Sequence, residues 1–131
     1  MAKIRVVLAD DHRAVLDKVR RTLADGFEVV AMAEDGNQAV AAVLKLDPDV
    51  LVTDISMPLL DGLQLAKRLQ AAHCRTKIVF LTVHEDQDFV TAAFDAGASG
   101  YVTKLRLTID LVPAIREALL GHTFVSRTVA N

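Results

Sequence analysis

Strand-length apolar runs alternate with helix-patterned segments five times along this chain, and that alternation constrains the fold more than any single motif. Residues 4–9, 28–33, 50–53, 78–82 and 100–103 read as strands. Several, such as Val50-Leu51-Val52-Thr53, are continuous and β-branched rather than alternating, the pattern of strands covered on both faces. Between them, Val15, Leu16, Val19 and Leu23 recur at the spacing of an apolar helix face, as do Ala39, Val40, Val43 and Leu44. Leu63, Leu65, Ala66 and Leu69 follow Asp61-Gly62, with Asp61 as helix cap, and a fourth helix is expected near 86–96, through Phe89, Val90, Ala93 and Phe94. The last helix is expected to start near Asp110 as N-cap and to run through Leu111, Ile115, Leu119 and Leu120 to Gly121, with Pro113 in its first turn. Five (βα) units of this length predict an α/β fold, a doubly wound five-stranded parallel sheet with helices on both faces. In such a sheet a ligand sits outside the carboxyl ends of the strands.

At 131 residues the chain reads as one domain with a sizeable core. Hydrophobic residues make up 52% and charged residues 24%, a globular balance. Fifteen basic against seventeen acidic residues give −2, which excludes a basic nucleic-acid footprint. Cys74 is the only cysteine, so no internal disulfide forms and a reducing compartment fits. No apolar stretch approaches the ~18 residues of a membrane span, and no signal peptide precedes Lys3. A soluble, cytoplasmic protein with no membrane contact is the expectation.

Polar residues gather where the strands end. Asp10 and Asp11 follow the first strand, Asp54 the third, Thr82 closes the fourth, and Lys104 follows the fifth. If the first and third strands are neighbours, three acids meet at one sheet edge. At ~4 Å and an effective dielectric of ~20, each like-charged pair repels by roughly 4 kcal/mol. A divalent cation relieves that repulsion, and hard oxygen ligands suit Mg²⁺. Acids, cation, hydroxyl and ammonium together make a phosphate site. Phosphoryl transfer needs alignment and charge neutralisation, and a carboxylate nucleophile needs no general base.

Asp10-Asp11, Asp54 within Asp-x-x-Met-Pro-x-x-Asp-Gly, Thr82, and Gly97-Ala98-x-Gly100-Tyr101-x-x-Lys104 stand in order on the expected elements. In these features the chain resembles the receiver domain of two-component response regulators, up to about Ser126. The resemblance implies a flavodoxin-like sheet of order 2-1-3-4-5, and Asp54 as phosphoacceptor for a sensor histidine kinase. It implies Mg²⁺ held by Asp11, Asp54 and the backbone carbonyl of Ser56, with Asp10 acting mainly through a metal-bound water. Lys104 and the Thr82 hydroxyl would bond phosphoryl oxygens, and Tyr101 would be the aromatic whose rotamer follows Thr82. The product adds roughly −1.5 to −2 charges, enough to bias a loop between two arrangements. Such a protein is a signalling phosphoacceptor, not an enzyme acting on separate substrates. Residues two beyond the phosphoacceptor and two beyond the threonine, here Ser56 and His84, influence dephosphorylation in that family.

Two features depart from a generic receiver. Leu105 follows Lys104 where proline is common, so no cis peptide is assumed there. Residues 111–126 are similar to the last receiver helix of the nitrate-regulator-like subfamily, whose members continue into a helix-turn-helix domain that binds DNA. The expectation is a receiver over 1–126 and the start of a linker over 127–131, with the output domain of a transcription factor absent from this chain. A free-standing receiver acting on a protein partner is the alternative, and a homodimer through helix faces is open.

Each residue also has a plainer reading. Asp10-Asp11 and Thr82 could cap the helices that follow them, Lys104 could be a solvated strand-end lysine, and Tyr101 a half-buried packing aromatic. His12, His73, His84 and His122 are scattered without metal-ligand spacing. Among rival functions, an aspartyl-phosphate phosphatase of the haloacid-dehalogenase type would want an acid where Ser56 stands, and there is little room for a cap. A flavin mononucleotide binder would want a Ser/Thr/Gly-rich loop in place of Asp10-Asp11-His12. A receiver that works without phosphorylation would not need all five site positions.

Overall fold

The computed structural model describes residues 2–127. β1 (Ile4–Ala9), α1 (Arg13–Thr22), β2 (Phe27–Ala33), α2 (Gly36–Leu46), β3 (Val50–Thr53), α3 (Gly62–Ala71), β4 (Lys77–Thr82), α4 (Gln87–Asp95), β5 (Gly100–Thr103) and α5 (Leu107–Leu119) follow one another as five βα units. A two-residue strand, β6 (Phe124–Val125), is added after α5. All pairings are parallel and the sheet order is β2-β1-β3-β4-β5-β6. The expected doubly wound α/β sheet of order 2-1-3-4-5 is therefore present, extended by one edge strand.

Side chains of a strand alternate between faces, and here both faces are apolar. Val6, Leu8, Val50, Val52, Val79, Leu81 and Val102 pack with Leu16, Val19, Leu111 and Ile115 from α1 and α5. Val7, Ala9, Leu51, Phe80 and Tyr101 pack with Val43, Leu65, Leu69 and Val90 from α2, α3 and α4. That double coverage explains why the strands read as unbroken apolar runs. It also leaves only the strand ends available for polar chemistry.

The β3–α3 connection is fixed at its far end. Asp61 caps α3 as expected, in a capping box with Gln64. Gly62 donates from its N–H to the Ile55 carbonyl at 2.7 Å, and a Cβ at this position would collide with the Asp54 carbonyl. Glycine is required there by close approach rather than by its torsion angles.

The start of the last helix differs from the expectation. A 3₁₀ turn at Lys104–Arg106 leads straight into α5 at Leu107, three residues before Asp110. Pro113 accordingly lies inside the helix rather than in its first turn. Its missing N–H leaves the carbonyl one turn earlier, at exposed Ile109, without a helical donor. Asp110 is buried and caps nothing; Arg106 and Ser126 occupy its carboxylate instead. Leu107 is 3% exposed, and burying it favours continuing the helix back to that point. β6 was not expected either, because two residues carry no periodicity. It is held by the Phe124 N–H to Ser99 carbonyl and Ser126 N–H to Tyr101 carbonyl bonds of 3.1 and 2.9 Å.

Candidate functional site: an acidic edge bridged by one lysine

β1, β3, β4 and β5 all deliver polar residues to the same edge. Asp54 N–H bonds the Ala9 carbonyl at 3.0 Å, so the ends of β1 and β3 are stitched side by side. Asp10 and Asp54 are consequently buried together, at 3% and 4% exposure. Lys104 reaches across from the end of β5 and places Nζ 2.9 Å from both Asp10 Oδ2 and Asp54 Oδ2. A solvated strand-end lysine is thereby excluded. Burial alone pushes its pKa down, but the two carboxylates outweigh burial and hold the ammonium above the ordinary lysine value.

Asp54 Oδ1 accepts from the Ile55 N–H at 2.7 Å and more loosely from the Ser56 N–H at 3.4 Å. Asp10 Oδ1 accepts from the His12 N–H at 2.9 Å. Asp10 Oδ2 is sealed from solvent and has the Lys104 charge beside it, yet that contact lacks hydrogen-bond alignment and no other donor reaches it. Asp11 is exposed at the rim. Asp10, Asp11, Asp54 and His12 each place a ligand atom so that all lie within 4.8 Å of one another. Three carboxylates against one ammonium leave two formal negative charges in this space. A hard dication fits that donor set, and the under-bonded Asp10 oxygen is an observation on its side.

Neither acid caps α1 with its side chain, since His12 is the N-cap and makes no side-chain cap bond. Thr82 is fully buried, and its hydroxyl accepts from the His84 N–H at 3.3 Å; α4 begins only at Gln87, so Thr82 is not its cap. Tyr101 is fully buried rather than half-buried, and its hydroxyl donates to the His84 carbonyl at 2.8 Å. Burial first, then the negative charges of Asp54 and Asp86, pushes its pKa up to about 12. Among the described residues no peptide bond is cis, the Lys104–Leu105 bond included.

Two features were beyond the reach of sequence spacing. Ser56 Oγ and His84 Nε2 share a 2.9 Å hydrogen bond that joins the β3–α3 loop to the β4–α4 loop, with the His84 ring stacked on Phe89 at 4.0 Å. The other is His12, set aside for want of ligand spacing, whose Nδ1 lies 3.1 Å from Asp11 Oδ1 and 3.2 Å from Asp10 Oδ1. Adjacency to Asp10-Asp11 after a strand was the only signal for it.

A parallel α/β sheet with an acid pair on its first strand end, an acid on the third and a lysine on the fifth marks a class of proteins able to hold a dication and an anion at one sheet edge. Comparison with known proteins narrows the class. Residues 6–116 match the family model described as response regulator receiver domain. The chain is 37% identical over 130 residues to the response regulator GacA of Pseudomonas viridiflava, covering 98% of this chain and 61% of that protein. It is 36% identical over 131 residues to the transcriptional regulatory protein DegU of Brevibacillus brevis, covering 98% and 56%. The isolated receiver domain of RcsB from Salmonella enterica serovar Typhimurium, solved with the phosphomimetic BeF3-, superimposes with a TM-score of 0.88 at 31% identity, covering 98% of this chain and 96% of that one. This chain belongs to the response regulator receiver domain family. It spans 56 to 61% of the length of these two curated relatives.

Proposed function

We propose that Asp54 accepts a phosphoryl group from the phosphohistidine of a sensor histidine kinase, with Mg²⁺, and that the phosphorylated chain switches a transcriptional output. The observation that carries this reading is the shared Lys104 contact, which fixes Asp54 and Asp10 on one cation at the sheet edge. Asp54 forms the new O–P bond while the P–N bond to the donor histidine breaks, and the electron pair leaves with the imidazole. Asp11, Asp54 and the Ser56 carbonyl would hold Mg²⁺, with Asp10 acting through a water; the ion supplies positive charge to the phosphoryl oxygens. Lys104 stands where it can exchange a carboxylate for a phosphoryl oxygen. Thr82 has a hydroxyl bound only weakly, at 3.3 Å to the His84 N–H, and is free to turn toward the new group. Tyr101 is tied to that loop through the His84 carbonyl, which couples its rotamer to Thr82.

The receiver extends through Ser126 in this reading. Residues 127–131 begin a linker to a DNA-binding output domain, and 128–131 lie outside the described residues. Transcription as output is supported by the name of the DegU relative. The setting is cytoplasmic; among the described residues no helix is long and apolar enough to cross a membrane. Incubation with acetyl phosphate or phosphoramidate and Mg²⁺, followed by intact-mass measurement, tests the reading. A single phosphoryl mass gain, absent in Asp54→Asn, is expected. No gain in the wild type, or a gain retained by Asp54→Asn, contradicts it.

A further inference from the structure

Three Asp-Gly pairs occur in the chain, Asp25-Gly26, Asp35-Gly36 and Asp61-Gly62. Such a pair carries its own chemistry, because the glycine nitrogen, unhindered by a Cβ, can attack the aspartate side-chain carbonyl carbon and close a five-membered imide. Reaction requires a carboxyl free to turn onto the nitrogen and a nitrogen free to receive it. The fold denies both at two of the pairs. Asp35 and Asp61 cap α2 and α3, and their carboxylates accept from the Gln38 and Gln64 N–H groups at 2.8 Å. Gly36 and Gly62 are buried so closely against Leu60 and the Asp54–Ile55 backbone that a Cβ would collide. Asp25-Gly26 is built the other way. Both residues are exposed in the turn between α1 and β2. Among the described residues the Asp25 carboxylate has no hydrogen-bond or ion-pair partner, and the Gly26 N–H donates to no acceptor. Nothing lies within 4 Å of the place a Gly26 Cβ would take, so the nitrogen is open to approach.

We propose that Asp25 is a modification site, isomerising to isoaspartate in the folded chain while Asp35 and Asp61 are held unreactive by their caps. The Gly26 nitrogen forms a bond to Asp25 Cγ as the carboxyl hydroxyl leaves, and the amide proton departs with it as water. Water then adds to the imide at either carbonyl. Opening at the side-chain carbonyl restores Asp25; opening at the main-chain carbonyl routes the chain through the side chain and frees the α-carboxylate. That product is the chemical class taken by an S-adenosylmethionine-dependent isoaspartyl carboxyl methyltransferase. The extra methylene enters the main chain where the Gly26 carbonyl accepts from the Ile4 N–H at 3.2 Å and Phe27 pairs with Ile4. Its effect therefore falls on the amino ends of β1 and β2, at the opposite end of the strands from Asp54. Asp35 and Asp61 react only when their helix starts open locally.

The test ages the intact chain in warm neutral buffer, then labels it with that methyltransferase and tritiated S-adenosylmethionine. A parallel sample is aged unfolded in guanidinium chloride. Cleavage after Glu28 and Glu34 separates residues 25 and 35 for peptide mapping. Wild type is compared with Asp25→Glu, which would need a six-membered imide. That exchange alters an exposed side chain without a partner, so the fold is retained. In the folded wild type the label should enter the peptide holding residue 25 alone, whose isomer shifts in elution at unchanged mass. In the unfolded sample it should enter all three Asp-Gly peptides, and folded Asp25→Glu should lose it. Hydrogen exchange of the isomerised fraction should show lost protection at the Ile4 amide. A folded chain without label at 25, or with as much at 35 or 61, overturns the proposal. Undiminished label in Asp25→Glu overturns it as well.

Discussion

Two buried carboxylate clusters lie at opposite ends of the 3₁₀ turn Lys104–Arg106, and they are built on opposite principles. Asp110 is complete. It accepts from Arg106 Nε and Nη2 at 3.1 and 3.2 Å and from Ser126 Oγ at 2.8 Å, one anion against one guanidinium. Ser126 Oγ in turn accepts from the Thr103 N–H at 3.2 Å, which ties the chain after α5 to β5. Burial works to raise the Asp110 pKa, but the Arg106 and Ser126 bonds prevail and hold it below the ordinary carboxylate value. The Asp10–Asp54 cluster is incomplete: two buried acids and a third at the rim share Lys104, and one sealed oxygen has no aligned donor. A buried carboxylate whose bonds are all filled is structure. One left short of charge and donors is a candidate ligand site.

The comparison breaks most visibly at Lys104. Lys104→Met strands Asp10 and Asp54 without a cation and should cost about 3 kcal/mol in metal-free buffer, measured by urea unfolding. The double variant Lys104→Met/Asp54→Asn should recover part of that loss. Because the folded-state pKa of Lys104 is raised, its contribution is fully present below the unfolded lysine value. It is lost only as pH rises through the folded value, so it is constant across the neutral range.

Asp110→Asn comes next. It removes an acceptor from Arg106 and Ser126 and should cost about 2 kcal/mol. The folded pKa of Asp110 is depressed, so the wild-type contribution is present above the unfolded carboxylate value and lost as pH falls through the folded one. Thermal melts from pH 6 to pH 2 should therefore converge for wild type and Asp110→Asn at the acid end. Curves that stay parallel would show that the Arg106 pairing is not what stabilises this region.

The same Asp→Asn change at position 54 should act with the opposite sign. Removing one of the crowded charges should stabilise the metal-free chain by about 1 kcal/mol, since function and stability oppose each other at such a site. A loss comparable to that of Asp110→Asn would erase the distinction between the two clusters.

The smallest effect belongs to the loop between them and α3. Leu59 has φ 69, in the left-handed region, and sits at the centre of a tight turn closed by the Leu60 N–H to Pro58 carbonyl bond of 2.8 Å. Its side chain is 79% exposed and adds little packing. Leu59→Gly should relieve backbone strain and stabilise by at most about 1 kcal/mol in the same unfolding measurement.

The fold was legible because the apolar runs have the length and composition of doubly covered strands, and Asp61 before Gly62 announces the cap of α3 in plain sequence. Convergence of Asp10, Asp54 and Lys104 followed from strand ends alone. What misled was local chemistry put to a long-range use. Asp110 followed by Pro113 has the form of a helix start, but its carboxylate is engaged by Arg106 one turn earlier and by Ser126 sixteen residues on. Likewise the Ser56–His84 bond spans 28 residues, beyond any local spacing. β6 is two residues of pairing, too short for any pattern to show.

Site mapping of the phosphoryl group tests the contrast most directly. After phosphoramidate and Mg²⁺, borohydride reduction converts an aspartyl phosphate to homoserine, which peptide sequencing locates. The label should fall at position 54, with none at 110 or 10, and should persist in Asp110→Asn. Labelling at another carboxylate, or none at position 54, would contradict the assignment of the under-bonded cluster to phosphoryl chemistry.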